Sequence, residues 1–391
     1  MGWADSYLGG ALPQDSAMAT LVGRVWRPGL GPSVAVLRES RLVDITASFP
    51  TIRDLCEAAD PARAAHAATG EIIGGFAAVL GNTPADTRDP TRPHLLAPID
   101  LQAVKAAGVT FPVSMLERVI EERARGDLEA AGAIRAEVKR LVGDDITRLR
   151  PGSAEAMALK QVLIAQGVWS QYLEVGIGPD AEIFTKAQPL SAVGTLADAG
   201  LHPDSAWNNP EPEVVLVVAA SGAIIGATLG NDVNLRDVEG RSALLLGRAK
   251  DNNGACAVGP MLRLFDDGFS LDDVRQMILT LTVEGTDDFR LQGTSSMARI
   301  SRDPADLVAQ MIGPHHAYPD GAVLFLGTMF APVEDRDTPG QGFTHKMGDV
   351  VTIATERLGA LVNRMRRTDE CGRWEFGARD LMAALARRGV L

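Results

Sequence analysis

The sequence predicts an irregular, β-rich α+β fold with a small N-terminal α/β domain ahead of a larger unit. Three observations carry this. Residues 182–265 and 323–361 are strand-like and rich in glycine, the chain holding 40 glycines in 391 residues. Strands and helical stretches do not alternate regularly, which argues against a doubly wound parallel sheet. Residues 82–93 are dense in Pro, Asp, Arg and Thr, the composition of a long surface loop. The domain boundary is placed there, giving domains 1–93 and 94–391.

Within the first domain, Ser33-Val34-Ala35-Val36-Leu37 and Leu42-Val43-Asp44-Ile45-Thr46 flank a polar turn and read as a hairpin. Residues 51–80 then carry helical spacing with Ala-rich filler. Beyond the boundary, Leu116, Val119, Ile120, Leu128, Ile134, Val138 and Leu141 are spaced for helix over 115–142. Ser153 begins another helix, with Met157, Val162 and Ile164 as its apolar side; residues 115–172 together read as a helical insertion serving as subunit interface or lid. Residues 214–231 carry no charge but are broken by Gly222, Gly226 and Gly230, so they read as two strands around a turn and not as a spanning helix. Residues 271–281 and 378–388 are expected to be helical.

Hydrophobic residues make up 46% and charged residues 23%, the balance of a soluble globular protein and not of a disordered chain. A formal charge of −12 without a basic cluster argues against nucleic-acid binding. Three widely spaced cysteines, Cys56, Cys256 and Cys371, form no disulfide framework and no CxxC motif, which suits a cytoplasmic location. The start lacks a signal peptide; it fits a loose myristoylation pattern without a second anchor, so no membrane partner is expected.

The informative segment is Asn209-Pro210-Glu211-Pro212-Glu213-Val214-Val215-Leu216-Val217-Val218. Two prolines bracket Glu211 and force an extended backbone. Side chains alternate along an extended chain, so Glu211 and Glu213 share a face. A two-residue turn at Ser221-Gly222 returns the strand with paired residues summing to 443, which sets Glu211 opposite Asp232. Three carboxylates at one hairpin end either rise in pKa or hold a cation. Oxygen donors without His or Cys favour Mg²⁺, Mn²⁺ or Ca²⁺ over zinc. Solvated charges at a strand end are the competing reading, and a three-residue turn would shift the register.

Pro210-Glu211-Pro212-Glu213, the hairpin and Asn231-Asp232-Val233-Asn234-Leu235-Arg236-Asp237 resemble the core signature of the fumarylacetoacetate hydrolase superfamily. Phe184-Thr185-Lys186, Lys250, Gly259-Pro260, Leu326-Gly327-Thr328 and Gly348-Asp349-Val350-Val351 agree in order. The resemblance implies a mixed β-roll catalytic domain that binds Mg²⁺, or Mn²⁺, through Glu211, Glu213 and Asp232. It implies a 2-oxo acid substrate, with Lys250 beside the reacting carbons and Lys186, Thr328 and Ser114 binding substrate. It also implies a homodimer or homotetramer.

Hydrolytic members carry a His where this chain has Ser114, and serine cannot serve as that base near neutral pH. Together with residues 108–111 and 180–186, this is closer to the sugar-acid dehydratase branch, which includes the 2-keto-3-deoxy-arabinonate and 2-keto-3-deoxy-xylonate dehydratases. The expected reaction is Mg²⁺-dependent removal of water from a 2-keto-3-deoxy pentonate, giving 2-oxoglutarate semialdehyde in oxidative pentose degradation. Glu182 is expected to take the C3 proton and Lys250 to protonate the departing hydroxyl. Hydrolysis of an acylpyruvate or 2,4-diketo acid on the same metal is the alternative, restored if His345 or His315 reaches the site. A silent 2-oxo-acid-binding protein is the third. Arg236 and Asp237 are expected to form a structural ion pair behind Asp232, His315-His316 to lie in a turn, and Cys256 to be core.

Overall fold

Strand formation in this chain follows the alternating and β-branched runs, and the order in which they pair determines where the acidic hairpin lies. A computed structural model describes residues 2–125, 127, 149–167, 169–330, 334–337 and 342–391. The strands are β1 (Leu21–Arg27), β2 (Gly31–Arg38), β3 (Arg41–Asp44), β4 (Glu71–Gly75), β5 (His94–Leu96), β6 (Ala103–Gly108) and β7 (Glu182–Ala187). They continue with β8 (Asp198–Leu201), β9 (Asn208–Asn209), β10 (Pro212–Val218), β11 (Ile224–Asp232), β12 (Asn234–Leu235) and β13 (Cys256–Leu264). Last come β14 (Ile278–Glu284), β15 (Arg290–Ser296), β16 (Ala322–Phe325), β17 (Val350–Thr355) and β18 (Gly359–Arg367).

Eleven of them form one sheet in the order β4-β3-β2-β1-β13-β11-β10-β16-β6-β7, with β5 on β1. A five-stranded sheet, β15-β14-β17-β18-β8, and the pair β12-β9 complete the described strands. Both large sheets are mixed: β16 runs parallel to β6 and β18 parallel to β8, against otherwise antiparallel ladders. This is the expected α+β architecture. Strand β1 pairs with β13 through Leu21–Arg263 and Val22–Leu262, so the N-terminal strands extend the main sheet.

Strand β10 is buried along its whole length and its period of two feeds two cores. Val214, Leu216 and Val218 pack with Leu279, Leu281, Ile353 and Leu361 of the five-stranded sheet. Val215 and Val217 point the other way, into a core shared with Ile52, Leu55, Ala62 and Ala65 of the N-terminal helices. A strand apolar on both faces cannot be exposed on either, which places the hairpin at the molecule's centre.

Several expectations need correction. The helical pattern of residues 51–80 resolves into helices Ile52–Cys56 and Pro61–Ala67, strand β4, then helix Phe76–Gly81. The pair Ile72-Ile73 favours a strand, and pairing with β3 overrides the local helical spacing. Residues 271–281 divide likewise: the helix stops at Arg275, and β14 takes over where Ile278, Leu279, Thr280 and Leu281 alternate between exposed and buried. Ser153 caps its helix as expected, but Val162 and Ile164 are exposed and Ala156 and Leu163 are buried. The helix expected over 115–142 is observed as Pro112–Ala124; residues 128–148 lie outside the described residues. Among the described residues no helix is long and apolar enough to cross a membrane.

The loop leading into β7 is held by one side chain. The buried guanidinium of Arg302 donates to the carbonyls of Val175, Gly178, Pro179 and Asp180, at 2.7, 2.8, 3.2 and 3.2 Å. Arg302→Met keeps the bulk and leaves these acceptors without their donor. It should lower the unfolding free energy by about 2–4 kcal/mol, read as a lower urea midpoint at unchanged slope. An unchanged midpoint would show that solvent replaces the guanidinium at no cost.

Candidate active site

The hairpin register sets the site. From Pro212–Asn231 to Val217–Gly226 the paired residues sum to 443, as the sequence predicts. The turn itself is different: Ala219 bonds to Ala223 across a three-residue loop. A bulge at Ile225, between the pairs Val217–Gly226 and Val218–Ile224, adds the residue that restores the register. The Asp232 N–H therefore donates to the Glu211 carbonyl at 3.0 Å. Glu211, Glu213 and Asp232 are all buried, and one carboxylate oxygen from each lies within 4.8 Å of the other two. Such a set of hard oxygen donors fits one small divalent cation.

These carboxylates are buried against cations. Lys250, at the end of helix Leu246–Lys250, places Nζ 2.5 Å from Glu211 Oε2 and 3.0 Å from Asp232 Oδ2. Arg118, from helix Pro112–Ala124, bonds Glu211 Oε1 through one guanidinium nitrogen and lies 2.8 Å from Glu239 Oε2 through the other. Lys186 is fully buried and directs its ammonium to Asp232 Oδ1 at 2.8 Å and to the carbonyls of Val233 and Lys250 at 3.2 and 2.5 Å. The Gly327 N–H donates to Glu213 Oε2 at 2.6 Å. With φ at +86°, a Cβ at Gly327 would lie 2.0 Å from Thr110 Oγ1, so both the turn and the close approach require glycine.

Protonation follows from this arrangement. Burial, reinforced by the charges of Asp232 and Glu211, pushes the Glu213 carboxyl well above its usual range. Burial acts on Asp232 in the same sense, but Lys186 and Lys250 outweigh it and hold that carboxyl low. Burial alone would strip the proton from Lys250; the Asp232 and Glu211 charges reverse this and raise its pKa. Glu182 is pushed up to about 7, first by burial and then by the charge of Glu239. A carboxyl poised there can accept or return a proton near neutrality.

One cavity is lined by Ser114, Arg118, Glu182, Phe184, the three clustered carboxylates, Glu239, Lys250, Gly327 and Thr328. It therefore brings together every residue that the sequence assigned to the site except Lys186, which lies behind Asp232 with its three donors engaged. A second lobe shares Ser114, Arg118, Glu211 and Thr328 and adds Glu117, Asn209, Arg236 and Phe330. His315 and His345 line neither lobe; His345 is buried, with Nδ1 3.1 Å from Asp349 Oδ2, and His315 is exposed. Arg236 and Asp237 are engaged differently from the expected mutual pair. Arg236 lies 3.6 Å from Glu117 and over the Trp207 ring, while Asp237 accepts from Ser205 and the Ala206 N–H.

Sequence reasoning missed Arg118 and Glu239. Arg118 lies one helical turn beyond Ser114, and Glu239 three residues after Arg236, so helical spacing was the available signal. Helices Pro112–Ala124 and Arg236–Glu239 exchange pairs reciprocally, Glu117 with Arg236 and Arg118 with Glu239.

Residues 209–366 match the family described as fumarylacetoacetate (FAA) hydrolase C-terminal. Over 329 residues the chain is 26% identical to a probable 2-keto-3-deoxyxylonate dehydratase of Haloferax volcanii, covering 83% of this chain and 92% of that protein. Over 189 residues it is 30% identical to a 2-dehydro-3-deoxy-D-arabinonate dehydratase of Saccharolobus solfataricus, covering 48% of this chain and 59% of that one. Its fold is similar to that of a solved 2-keto-3-deoxy-D-arabinonate dehydratase complexed with magnesium and 2,5-dioxopentanoate. That similarity has a TM-score of 0.61 at 20% identity over 89% of this chain and 99% of the other.

The raised Glu182 pKa has a sign that unfolding can read. Between the ordinary value of 4.5 and about 7 the folded protein keeps a proton that the unfolded chain has lost. Its contribution is present below pH 4.5 and lost as pH rises through 7. In metal-free buffer, Glu182→Gln should therefore lose less Tm between pH 5 and 8 than the wild type. Parallel Tm profiles would exclude the shift.

Proposed function

We propose that this protein is a Mg²⁺-dependent hydro-lyase that removes water from a 2-keto-3-deoxy pentonate. The observation that carries the reading is the shared cavity: a buried three-carboxylate cluster, a carboxyl poised near 7 and a buried lysine, with no histidine in its lining. The names of the two curated relatives, both dehydratases of such acids, support the substrate class. Charge supports the metal. Glu211, Glu213 and Asp232 lie together in one buried cluster, and a divalent cation would relieve the mutual repulsion that raises Glu213.

Glu211, Glu213 and Asp232 would hold Mg²⁺, which supplies Lewis acidity at the substrate's C2 oxygen. Glu182 takes a proton from C3, made acidic by the adjacent keto group. Lys250 gives a proton to the C4 hydroxyl, which leaves as water while the C3–C4 double bond forms. Thr328 and Ser114 offer hydroxyls to the carboxylate end. A proton then passes from C5 to C3, and the C4–C5 enol becomes the aldehyde of a 2,5-dioxo acid. Burial of Glu211, Glu213, Asp232 and Lys250 keeps solvent from quenching these transfers.

The test is incubation with a panel of 2-keto-3-deoxy acids, with loss of water read by mass spectrometry. EDTA should abolish turnover and Mg²⁺ restore it. Glu213→Gln should weaken Mn²⁺ binding, and Glu182→Gln should lower kcat by about 10²-fold or more with substrate still bound. Full turnover after exhaustive chelation, or an acylpyruvate cleaved as fast as any deoxy acid, would reject the proposal.

A further inference from the structure

We propose that Gly108 is a positioning residue for Glu182: by lacking a side chain it leaves the space in which the catalytic carboxylate lies. This inference rests on the reading of Glu182 as the base. Gly108 ends β6 and Glu182 begins β7, and the two stand directly opposite in an antiparallel pair. Side chains at such positions share a face with Cβ atoms about 5 Å apart. A Cβ on Gly108 would lie 2.1 Å from Glu182 Oε2 and 2.7 Å from its Cδ. The carboxylate is therefore folded back across the neighbouring strand, over the bare backbone, and both residues line the cavity.

Two features make this the reason for a glycine here. Gly108 is not among the residues with positive φ, so its backbone is open to any amino acid. A glycine that the backbone does not need weakens a strand, and close approach by another group is the usual reason for one. Moreover, among the described residues β7 is the outermost strand of its sheet, with no further strand to confine Glu182 on the other side. Without the gap at 108, a carboxylate on an edge strand would turn to solvent. The next residue, Val109, has φ of +56°, a strained value for a β-branched side chain. Val109 is buried in the helical core with Met115 and Leu173, which holds the corner against that strain. The strand thus ends sharply at Gly108, and the chain turns into the helix that carries Ser114 and Arg118.

In Gly108→Ala, the atom met by the new methyl is the mobile end of a side chain, so the fold survives and the carboxylate gives way. The variant should keep its urea midpoint and bind Mn²⁺ within about twofold of wild type. Its kcat should fall about tenfold or more, with KM within about threefold. A double-mutant cycle with Glu182→Asp separates positioning from any effect through the fold. The shorter side chain no longer reaches over residue 108, so in that background Gly108→Ala should cost nothing further. If Gly108→Ala does not fold, Gly108→Ala/Glu182→Asp should, because the clash is gone; both failing to fold would overturn the proposal. So would a folded Gly108→Ala with kcat within twofold of wild type, or an equal loss in both backgrounds. Wild-type turnover by Glu182→Gln would instead remove the base reading and this inference with it.

Discussion

Everything at the site depends on one pairing, that of β10 with β11. Their register sets Glu211 against Asp232 in the middle of an eleven-stranded sheet, where burial makes charge costly. A slip of one residue would turn Glu213 to the opposite face and put Val214 in its place. The bulge at Ile225 is therefore as necessary as the acids themselves, since a three-residue loop alone gives the wrong sum. Because β10 is apolar on both faces, with Val214 and Val215 in different cores, its side-chain pattern alone does not forbid such a slip, and the turn and bulge set the register.

Burying so much charge demands compensation, and the chain supplies it from widely separated segments. Arg118, Lys186 and Lys250 come from a helix, an edge strand and a second helix, and each reaches a different side of the cluster. A buried charge with one partner removed is more costly than no pair at all, so these cations and acids are interdependent. The same crowding separates the titrations: Asp232 stays ionised between two ammonium groups, while Glu182, beside Glu239, holds its proton into the neutral range. Like groups thus acquire different tasks through their neighbours.

The acidic hairpin was legible because its signals are local. Prolines fix the extended lead-in, alternation fixes the faces, and the register follows from a turn. The strand β4 and the start of β14 were not legible, because their helical spacing is overridden by partners distant in the chain. Ile72 pairs with Val43, and β14 pairs with β17, Thr280 facing Ala354. Arg118 and Glu239 were hidden for a related reason. Helical spacing puts each beside a residue already singled out, Ser114 or Arg236, but only the assembled fold brings the two charges together. Lys186 shows the reverse case: a position on the site's own strand, yet with the ammonium turned away from the cavity into the hairpin's support.

The pairing of β1 with β13 has a consequence for how the chain reaches this state. Val22 meets Leu262, about 240 residues later in the sequence. At ribosomal rates of about 5–20 residues per second, the partner emerges roughly 10–50 s after β1. During that interval β1 to β4 can close their local hairpins, but the edge destined for β13 stays open, with its backbone donors and acceptors unpaired. The central sheet is thus sealed late, β16 joining it later still, and the nascent chain carries a sticky edge for most of its synthesis. Long-range pairing of this kind slows folding and makes the newly made protein, more than the native one, a substrate for chaperones.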